Sequence, residues 1–292
     1  MKKIVLAALA VILAVGMLTG CNGDSQKNSS VTPTSDQTAK LSGTVKTGGS
    51  TSVEKVMNAL IFKFQDDNRE VTINYEMNGS GDGIKNASSG MYEIGHSSRE
   101  LKTDGTEDGL NAIPYAIDGI AVIMHKNNAV ENLSKEQIKD IYTGKVKNWS
   151  EVGGNDALIT VVTREASSGT RSAFAEIIGI EKKGDDETKI VAEATTCDST
   201  GAVQTNVAQN ENAIGYMSFS DVDDTKVSVA KFENIQISEA TLKGGSYALK
   251  RDFYIVTKKG AELSPEGKAF MDFVLGDAGQ GIVKDNKLLP IK

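Results

Sequence analysis

Short apolar runs alternate along this chain with segments whose apolar residues recur at helical spacing, and that alternation restricts the folds open to it. The runs typical of strands cover residues 71–77, 120–124, 158–162, 213–217 and 253–256. The segments typical of helices with one buried stripe cover residues 53–64, 174–178 and 270–274. Strands that alternate with helices predict an α/β fold with a largely parallel sheet.

The length of this alternating region predicts two lobes. About 250 residues follow residue 42, which is more than a single hydrophobic core usually holds. We therefore expect each lobe to contain a mostly parallel sheet flanked by helices. No repeat of fixed period is visible in the chain.

The N-terminal segment predicts export and lipidation. Met1-Lys2-Lys3 is basic, residues 4–17 are almost wholly apolar, and small residues lead to Cys21. This is the pattern of a lipoprotein signal peptide. We expect residues 1–20 to be removed and Cys21 to carry the lipid. An uncleaved anchor is the alternative, but a membrane-spanning helix needs about 20 apolar residues.

Residues 21–42 predict a disordered tether. They are rich in Ser, Asn, Thr, Gln and Asp and have hardly an apolar side chain to bury. The only other cysteine is Cys197, so the chain cannot form an internal disulfide once Cys21 is lipidated. We interpret Cys197 as a small buried apolar residue.

The charge balance argues against nucleic acid as a partner. The chain has 32 Lys and Arg against 39 Asp and Glu, a net charge of −7 that becomes −9 without Lys2 and Lys3. Such a protein has no field that attracts nucleic acid. If it binds an anion, it must do so with local dipoles and hydrogen bonds.

Three polar loops that precede probable helices predict such an anion site. They cover residues 47–52, 78–83 and 164–171, and at least the second and third follow probable strands. Free N–H groups at a helix start attract anions. The third loop also has Arg164, whose planar guanidinium matches an oxyanion, and Arg171, which could equally be a surface residue. One such loop is usually only a cap and a turn, but three together indicate a small anion.

Other chemistries lack the residues they need. The chain has no nucleotide P-loop, no dinucleotide motif and no nucleophile elbow. With two histidines and no paired cysteines we expect no metal and no cofactor. His125 is interpreted as structural, and His96 as either a lining residue or a turn residue. An alternative function, a phosphatase or esterase with Ser168 as nucleophile, lacks an evident general base.

The loops, taken in order, resemble the phosphate-binding lipoproteins of the PstS type, which serve the phosphate-specific ABC importer. The resemblance covers about residues 43–292. It rests on residues 49–52, 78–81, 94–99, 141–144, 147–149, 164–170, 213–216 and 253–256. We interpret Trp149 as a packing residue and not as a ligand contact.

The resemblance implies a two-lobed clamshell like that of periplasmic binding proteins. Lobe 1 would comprise residues 43–116 and 249–292, and lobe 2 residues 117–248, with crossings near 114–120 and 246–252. The protein would be a non-enzymatic monomer, lipid-anchored to the cell membrane, that captures inorganic phosphate and delivers it to the membrane subunits of an ABC importer. Another oxyanion such as sulfate, or a role as sensor or adhesin, is the alternative.

The resemblance also implies the residues that hold phosphate. They are Ser50, Thr51, Ser52, Ser80, Arg164, Ser168, Gly169 and Thr170, and we add Ser98 as a further candidate. Ser98 stands where many relatives have an aspartate, and Ala166 where some do.

A carboxylate elsewhere would then have to accept the proton by which phosphate differs from sulfate. Asp118, Asp82 and Glu165 are the candidates. We favour Asp118 and interpret Asp118-Gly119 as a turn at the first crossing between the lobes. The alternative is that the Asp118 side chain only caps the backbone of that turn.

Overall fold

The computed structural model describes residues 40–180 and 190–291 of the chain. The predicted signal peptide, Cys21 and residues 21–39 of the predicted tether lie outside these residues. None of the helices in the described ranges has both the length and the apolar character needed to cross a membrane.

Strands and helices alternate through the described residues, as the sequence predicts. The strands are Gly43–Gly49 (β1), Val71–Met77 (β2), Ile94–Ser97 (β3), Leu110–His125 (β4), Asn132–Leu133 (β5), Thr160–Arg164 (β6), Thr195–Cys197 (β7), Ala213–Ser218 (β8), Val227–Val229 (β9), Lys231–Phe232 (β10), Lys250–Lys258 (β11) and Leu289–Pro290 (β12). The α-helices are Glu54–Asp67 (α1), Ser80–Ser89 (α2), Lys135–Tyr142 (α3), Gly169–Ile178 (α4), Thr200–Gln209 (α5), Glu239–Lys243 (α6), Pro265–Leu275 (α7) and Asp277–Asp285 (α8). Three short 3₁₀ helices cover Thr51–Val53, Trp149–Val152 and Phe219–Asp221.

Most predicted strands are confirmed, and two boundaries are wrong. The prediction for residues 71–77 coincides with β2, and three other runs lie within β4, β8 and β11. The run at 158–162 begins too early, because Leu158 is 71% exposed and β6 starts at Thr160. Residues 47–49, predicted from the sequence to lie in a loop, form the end of β1. Two of the three are glycines, which are rare in strands, so the sequence pattern does not indicate a strand there.

Parallel strands flank an antiparallel centre in the main sheet. The strand order is β2-β1-β3-β11-β4-β8-β6-β7, and β9 and β12 also pair with β4. The pairs of β1 with β2 and β3, and of β6 with β7 and β8, are parallel. β4 and β11 run antiparallel at the centre. The largely parallel sheet is therefore confirmed only for the flanks.

Two large apolar cores and one small cluster, which includes Ile84 and Val256, lie along this sheet. The first core is formed by β1 to β3, β11 and helices α1, α7 and α8, and includes Val45, Leu60 and Phe270. The second core is formed by the second half of β4, β6, β8 and helices α3 to α5, and includes Phe174 and Val203. β4 belongs to both, because it pairs with β11 as far as Gly119 and with β8 from Ile120 onward. The predicted lobe boundaries stay predictions.

Two residues with predicted packing roles are buried. Trp149 is 2% exposed and its Nε1 donates to the carbonyl of Asn212 at 3.0 Å. Cys197 is a free, buried thiol in the second core. The apolar interpretation of both side chains is confirmed.

Candidate functional site

The first polar loop follows β1 and leads into α1. Gly49 has a φ of 141°, and a Cβ there would collide with the carbonyl oxygen of His96, so the position requires glycine. The close approach lets the Ser50 amide donate to that carbonyl at 3.1 Å. Ser50 Oγ accepts from the Ser52 amide at 3.3 Å, which caps the turn that starts α1. These side chains therefore lie at the positive end of a helix.

The second loop joins β2 to α2 and meets the end of β3. α2 begins at Ser80, whose Oγ accepts from the Ser98 amide at 3.0 Å. The hydroxyl of Ser98 lies 2.8 Å from Ser50 Oγ and 3.2 Å from Ser80 Oγ. Ser98 therefore connects the first two loops.

Arg164 ends β6 and is 2% exposed. Its Nε and Nη2 donate to the two carboxylate oxygens of Glu165 at 2.8 and 2.7 Å, a bidentate pair that orients the guanidinium. Nη2 also donates to Thr51 Oγ1 at 3.1 Å, and Nη1 donates to Thr200 Oγ1 at 3.3 Å. Arg171 Nη1 donates to the Arg164 carbonyl at 2.7 Å, so Arg171 supports this loop.

The start of α4 packs against the second loop. A Cβ on Gly169 would collide with the hydroxyls of Ser80 and Ser98, so glycine is what allows the two segments to meet. Thr170 Oγ1 lies 2.6 Å from Ser52 Oγ. The third loop therefore contacts both of the others.

Ser168 has a structural role at the same helix start. Its Oγ accepts from the Arg171 amide at 3.2 Å, as a helix cap does. Four other α-helices in the described part of the chain begin after a capping serine, namely Ser134, Ser199, Ser238 and Ser264. A serine before a helix is thus an ordinary cap in this protein, and only its neighbours can mark a site.

Thr200 was not among the residues predicted from the sequence, yet it joins the same group. It begins α5, and its Oγ1 lies 3.3 Å from Thr51 Oγ1 and 3.2 Å from Ser52 Oγ. The signal was a fourth polar segment, residues 198–201, between a strand and a helix. β7 has only three residues, which is too short for its pattern to stand out.

These contacts join the hydroxyls into two buried networks, one of Ser50, Ser98 and Ser80 and one of Thr51, Thr200, Ser52 and Thr170. The hydrogen bond from the Ser52 amide to Ser50 Oγ links the two networks, and the seven hydroxyls together are here named the hydroxyl cluster. Its members are Ser50, Thr51, Ser52, Ser80, Ser98, Thr170 and Thr200. Each is at most 5% exposed. Arg164 and Gly169 adjoin the cluster, and Ser168 lies beside it in the chain. The predicted ligands are thus brought together, with Asp118 as the exception.

Asp118 is not in a turn, so that interpretation is wrong. Asp118 lies inside β4 opposite Arg251 of β11, and the strand continues through Gly119. A Cβ on Gly119 would press against the side chains of Ile237 and Leu242. Glycine at this position therefore allows Ile237 and Leu242 to pack closely against β4. Sequence alone does not distinguish such a glycine from one in a turn.

The carboxylate of Asp118 is buried in an ion pair. Arg251 Nη2 donates to Oδ2 at 3.0 Å, and Ser218 Oγ donates to Oδ1 at 2.9 Å. Burial raises the pKa of Asp118 to about 6, although Arg251, Ser218 and the Ser220 amide oppose that shift. Within residues 40–180 and 190–291 no hydrogen bond links this carboxylate to the hydroxyl cluster. We refer to it below as the Asp118–Arg251 pair.

His96 is a buried strand residue, so its interpretation as a turn residue is wrong. It lies in β3, with its ring 5.6 Å from that of Tyr75 and 6.2 Å from that of Tyr115, both edge-on. Burial lowers the pKa of His96 to about 3, so the imidazole is neutral near pH 7. Neither ring nitrogen has a hydrogen-bond partner within the described part of the chain. His125 ends β4, and its Nδ1 accepts from the Asn127 amide at 3.1 Å.

The geometry of the hydroxyl cluster favours the binding of an anion over catalysis. Hydroxyls can donate or accept, helix starts offer N–H groups and a positive dipole, and Arg164 adds a fixed positive charge. The Ser168 hydroxyl caps its helix, and among the described hydrogen bonds none joins it to a histidine or a carboxylate. In the same residues no cluster of three metal-binding side chains is present.

Comparison with known proteins identifies similar chains. Residues 34–278 match the model of the PBP superfamily domain. The phosphate-binding protein PstS of Bacillus subtilis is 30% identical over 295 residues, which cover 99% of this chain and 94% of that protein.

Solved structures give the same result. A substrate-binding protein of a phosphate ABC transporter from Clostridium perfringens, solved with bound phosphate, is 44% identical with a TM-score of 0.80, and the match covers 86% of this chain and 100% of that one. An ABC-type phosphate transport receptor from Vibrio cholerae is 30% identical with a TM-score of 0.71, covering 85% of this chain and 100% of that one.

Proposed function

This chain belongs to the PBP superfamily and, within it, to the PstS phosphate-binding proteins, and from that membership we propose that it captures inorganic phosphate and delivers it to an ABC importer. The hydroxyl cluster around Arg164 carries the proposal. It brings hydroxyls from the starts of α1, α2, α4 and α5 into one buried place, where a tetrahedral anion would meet donors from several directions.

The electrostatics of the molecule make this local concentration necessary. The net charge of −7 repels an anion at long range. The helix dipoles and the Arg164 guanidinium act at short range in a buried place, where electrostatic interactions are stronger than in water. We propose that phosphate is held by nine of the ten residues predicted from the sequence, namely Ser50, Thr51, Ser52, Ser80, Ser98, Arg164, Ser168, Gly169 and Thr170. The tenth, Asp118, remains the proposed acceptor of the phosphate proton.

Titration calorimetry tests the proposal. The full chain, purified in a mild detergent, is titrated with phosphate and with sulfate. We expect saturable binding of one phosphate per chain and much weaker binding of sulfate. The absence of heat with phosphate, or equal affinity for both anions, would contradict the proposal.

We propose that the protein is not an enzyme. The alternative nucleophile Ser168 is a helix cap, and the buried His96 has a pKa of about 3, which makes it a poor general base near neutral pH. Incubation with a chromogenic phosphate ester separates the two functions. Turnover above background would favour a phosphatase or esterase.

We further propose that the protein works outside the cytoplasm as a monomer, anchored to the cell membrane through a lipid on Cys21. Residues 4–21 have the pattern of a lipoprotein signal, and acyl chains attached to the cysteine would hold the protein at the membrane by burying their CH₂ groups in the bilayer. Labelled fatty acid should be incorporated into the parent chain. Incorporation should be lost in Cys21→Ser, and unchanged anchoring of that variant would mean that the apolar segment itself holds the protein.

A further inference from the structure

Thr200 forms contacts that the proposed ligand set leaves unexplained. Its Oγ1 lies within 3.3 Å of Thr51 Oγ1, Ser52 Oγ and Arg164 Nη1, and its amide donates to Thr51 Oγ1 at 3.3 Å. The side chain is 4% exposed. A hydroxyl has one donor and two acceptor positions, so these neighbours can satisfy it completely.

Capping of α5 does not explain these contacts. The cap is Ser199, whose Oγ accepts from the Ala202 amide at 3.2 Å. The hydroxyl of Thr200 is therefore free to serve the cluster and does not stabilise its own helix as a cap.

The contacts of Thr200 connect the two cores. α5 packs in the second core through Val203 and Val207, whereas Thr51 precedes Val53 of the first core. The bonds from Thr200 to Thr51 and Ser52 therefore join segments that must separate if the two cores move apart.

Thr200 also restrains the guanidinium of Arg164. Glu165 holds Nε and Nη2 on one side, and Thr51 and Thr200 take N–H groups of Nη2 and Nη1 on the other. A guanidinium held at both edges keeps one orientation for as long as the two segments are in contact, so it stays directed at a bound anion.

We propose that Thr200 is a positioning residue of the phosphate site, which orients Arg164 and Thr51 across the two cores and slows the release of bound phosphate. This inference rests on the proposed phosphate-binding function. Its bonds form when the segments meet, so their loss should act on dissociation more than on association.

The test compares Thr200→Val, Thr200→Ser and the control Thr205→Val in the full chain. Thr205 is on the exposed face of the same helix, and its hydroxyl donates to the Gly201 carbonyl. The release rate of radiolabelled phosphate is measured by dilution into unlabelled phosphate, with association rates and melting temperatures measured alongside. We expect Thr200→Val to raise the release rate about tenfold and to change association less than about threefold.

Thr200→Ser should restore parental release, and Thr205→Val should leave it unchanged. If Thr200→Val releases phosphate at the parental rate, or if Thr200→Ser is as fast as Thr200→Val, Thr200 has no positioning role. If the parent chain itself does not bind phosphate, the proposed function fails instead. Combining Thr200→Val with Thr51→Val gives a second measurement, because a shared bond predicts that the double variant releases phosphate more slowly than the product of the single effects, whereas a rate equal to that product would show no coupling.

Discussion

The hydroxyl cluster and the Asp118–Arg251 pair are both buried polar groups at the junction of the two cores, but they differ in how they can change partners. Each hydroxyl can donate or accept, so bonds within the cluster can be exchanged for bonds to an anion. Asp118 and Arg251 are opposite charges in a poorly solvated place, and separating them leaves a charge unpaired. The cluster is therefore suited to reversible binding, and the pair is suited to holding β4 against β11.

Removing the charge of Asp118 should have the largest effect. Asp118→Asn leaves the buried Arg251 without its counter-ion, which we expect to lower the free energy of unfolding by about 3–5 kcal/mol. Urea denaturation at pH 7.5 measures it. Asp82→Asn is the matched control, because Asp82 lies in the first turn of α2 and is only partly buried. A loss below about 1 kcal/mol would show that the pair does not hold the strands.

The same variant tests whether Asp118 also accepts the proton of phosphate. Three donors already reach its carboxylate, which leaves room for one more because a carboxylate has about four acceptor positions. Phosphate binding should weaken in Asp118→Asn and the preference over sulfate should narrow, while Glu165→Gln changes the preference less. Unaltered affinities for both anions would place the acceptor elsewhere.

Truncation of Arg164 should have the next largest effect, on binding rather than stability. Arg164→Ala removes the guanidinium that adjoins the hydroxyl cluster and leaves Glu165 unpaired, so we expect a loss of about 2–4 kcal/mol in phosphate affinity by calorimetry. Arg69→Ala is the control, since Arg69 pairs with Asp66 at the surface. If Arg164→Ala binds phosphate with the affinity of the parent, the third loop is not part of the phosphate site.

The neutral state of His96 predicts a pH dependence of stability. The unfolded chain takes up a proton near the ordinary pKa of about 6.5, whereas folded His96, with a pKa of about 3, does not. Stability is therefore lost as pH falls below about 6.5, by up to about 1.4 kcal/mol per pH unit. The raised pKa values of Asp118 and Asp221, about 6 and about 7, act in the opposite direction because the folded state holds their protons longer.

Replacing His96 isolates its contribution. Urea denaturation at pH 5.0 and pH 6.5 measures how much the free energy of unfolding falls with acid. We expect this fall to be smaller in His96→Phe than in the parent, by up to about 1.4 kcal/mol per pH unit. His125→Gln provides the comparison with the other histidine. An unchanged slope in His96→Phe would mean that the imidazole is protonated in the folded protein.

Single hydroxyls of the cluster should matter least. Ser80→Ala and Thr170→Val each remove one neutral partner, and we expect each to cost about 0.5–1.5 kcal/mol of phosphate affinity. Ser89→Ala on the same helix as Ser80 is the control, because its exposed hydroxyl donates to the Asn86 carbonyl. Losses as large as that of Arg164→Ala would indicate that the cluster cannot exchange its bonds.

The parts of the site that could be predicted are those that local sequence encodes. Ser50, Ser80 and Gly169 stand next to strong strand or helix signals, so their loops were identifiable and their convergence followed from where α/β folds place ligands. Thr200 follows a strand of three residues and was missed. Asp118-Gly119 has the composition of a turn and was misassigned, because its partner Arg251 is 133 residues away.

By itself the sequence determined the alternation of strands and helices, the loops that start the helices and the family to which the chain belongs, since each depends on neighbouring residues or on an ordered set of short motifs. Only the tertiary structure decided that Ser98 connects two loops, that Thr200 joins Arg164, and that Asp118 lies in a strand as one half of an ion pair. These features depend on contacts between residues far apart in the chain, and burial then sets the energy and protonation of the groups involved.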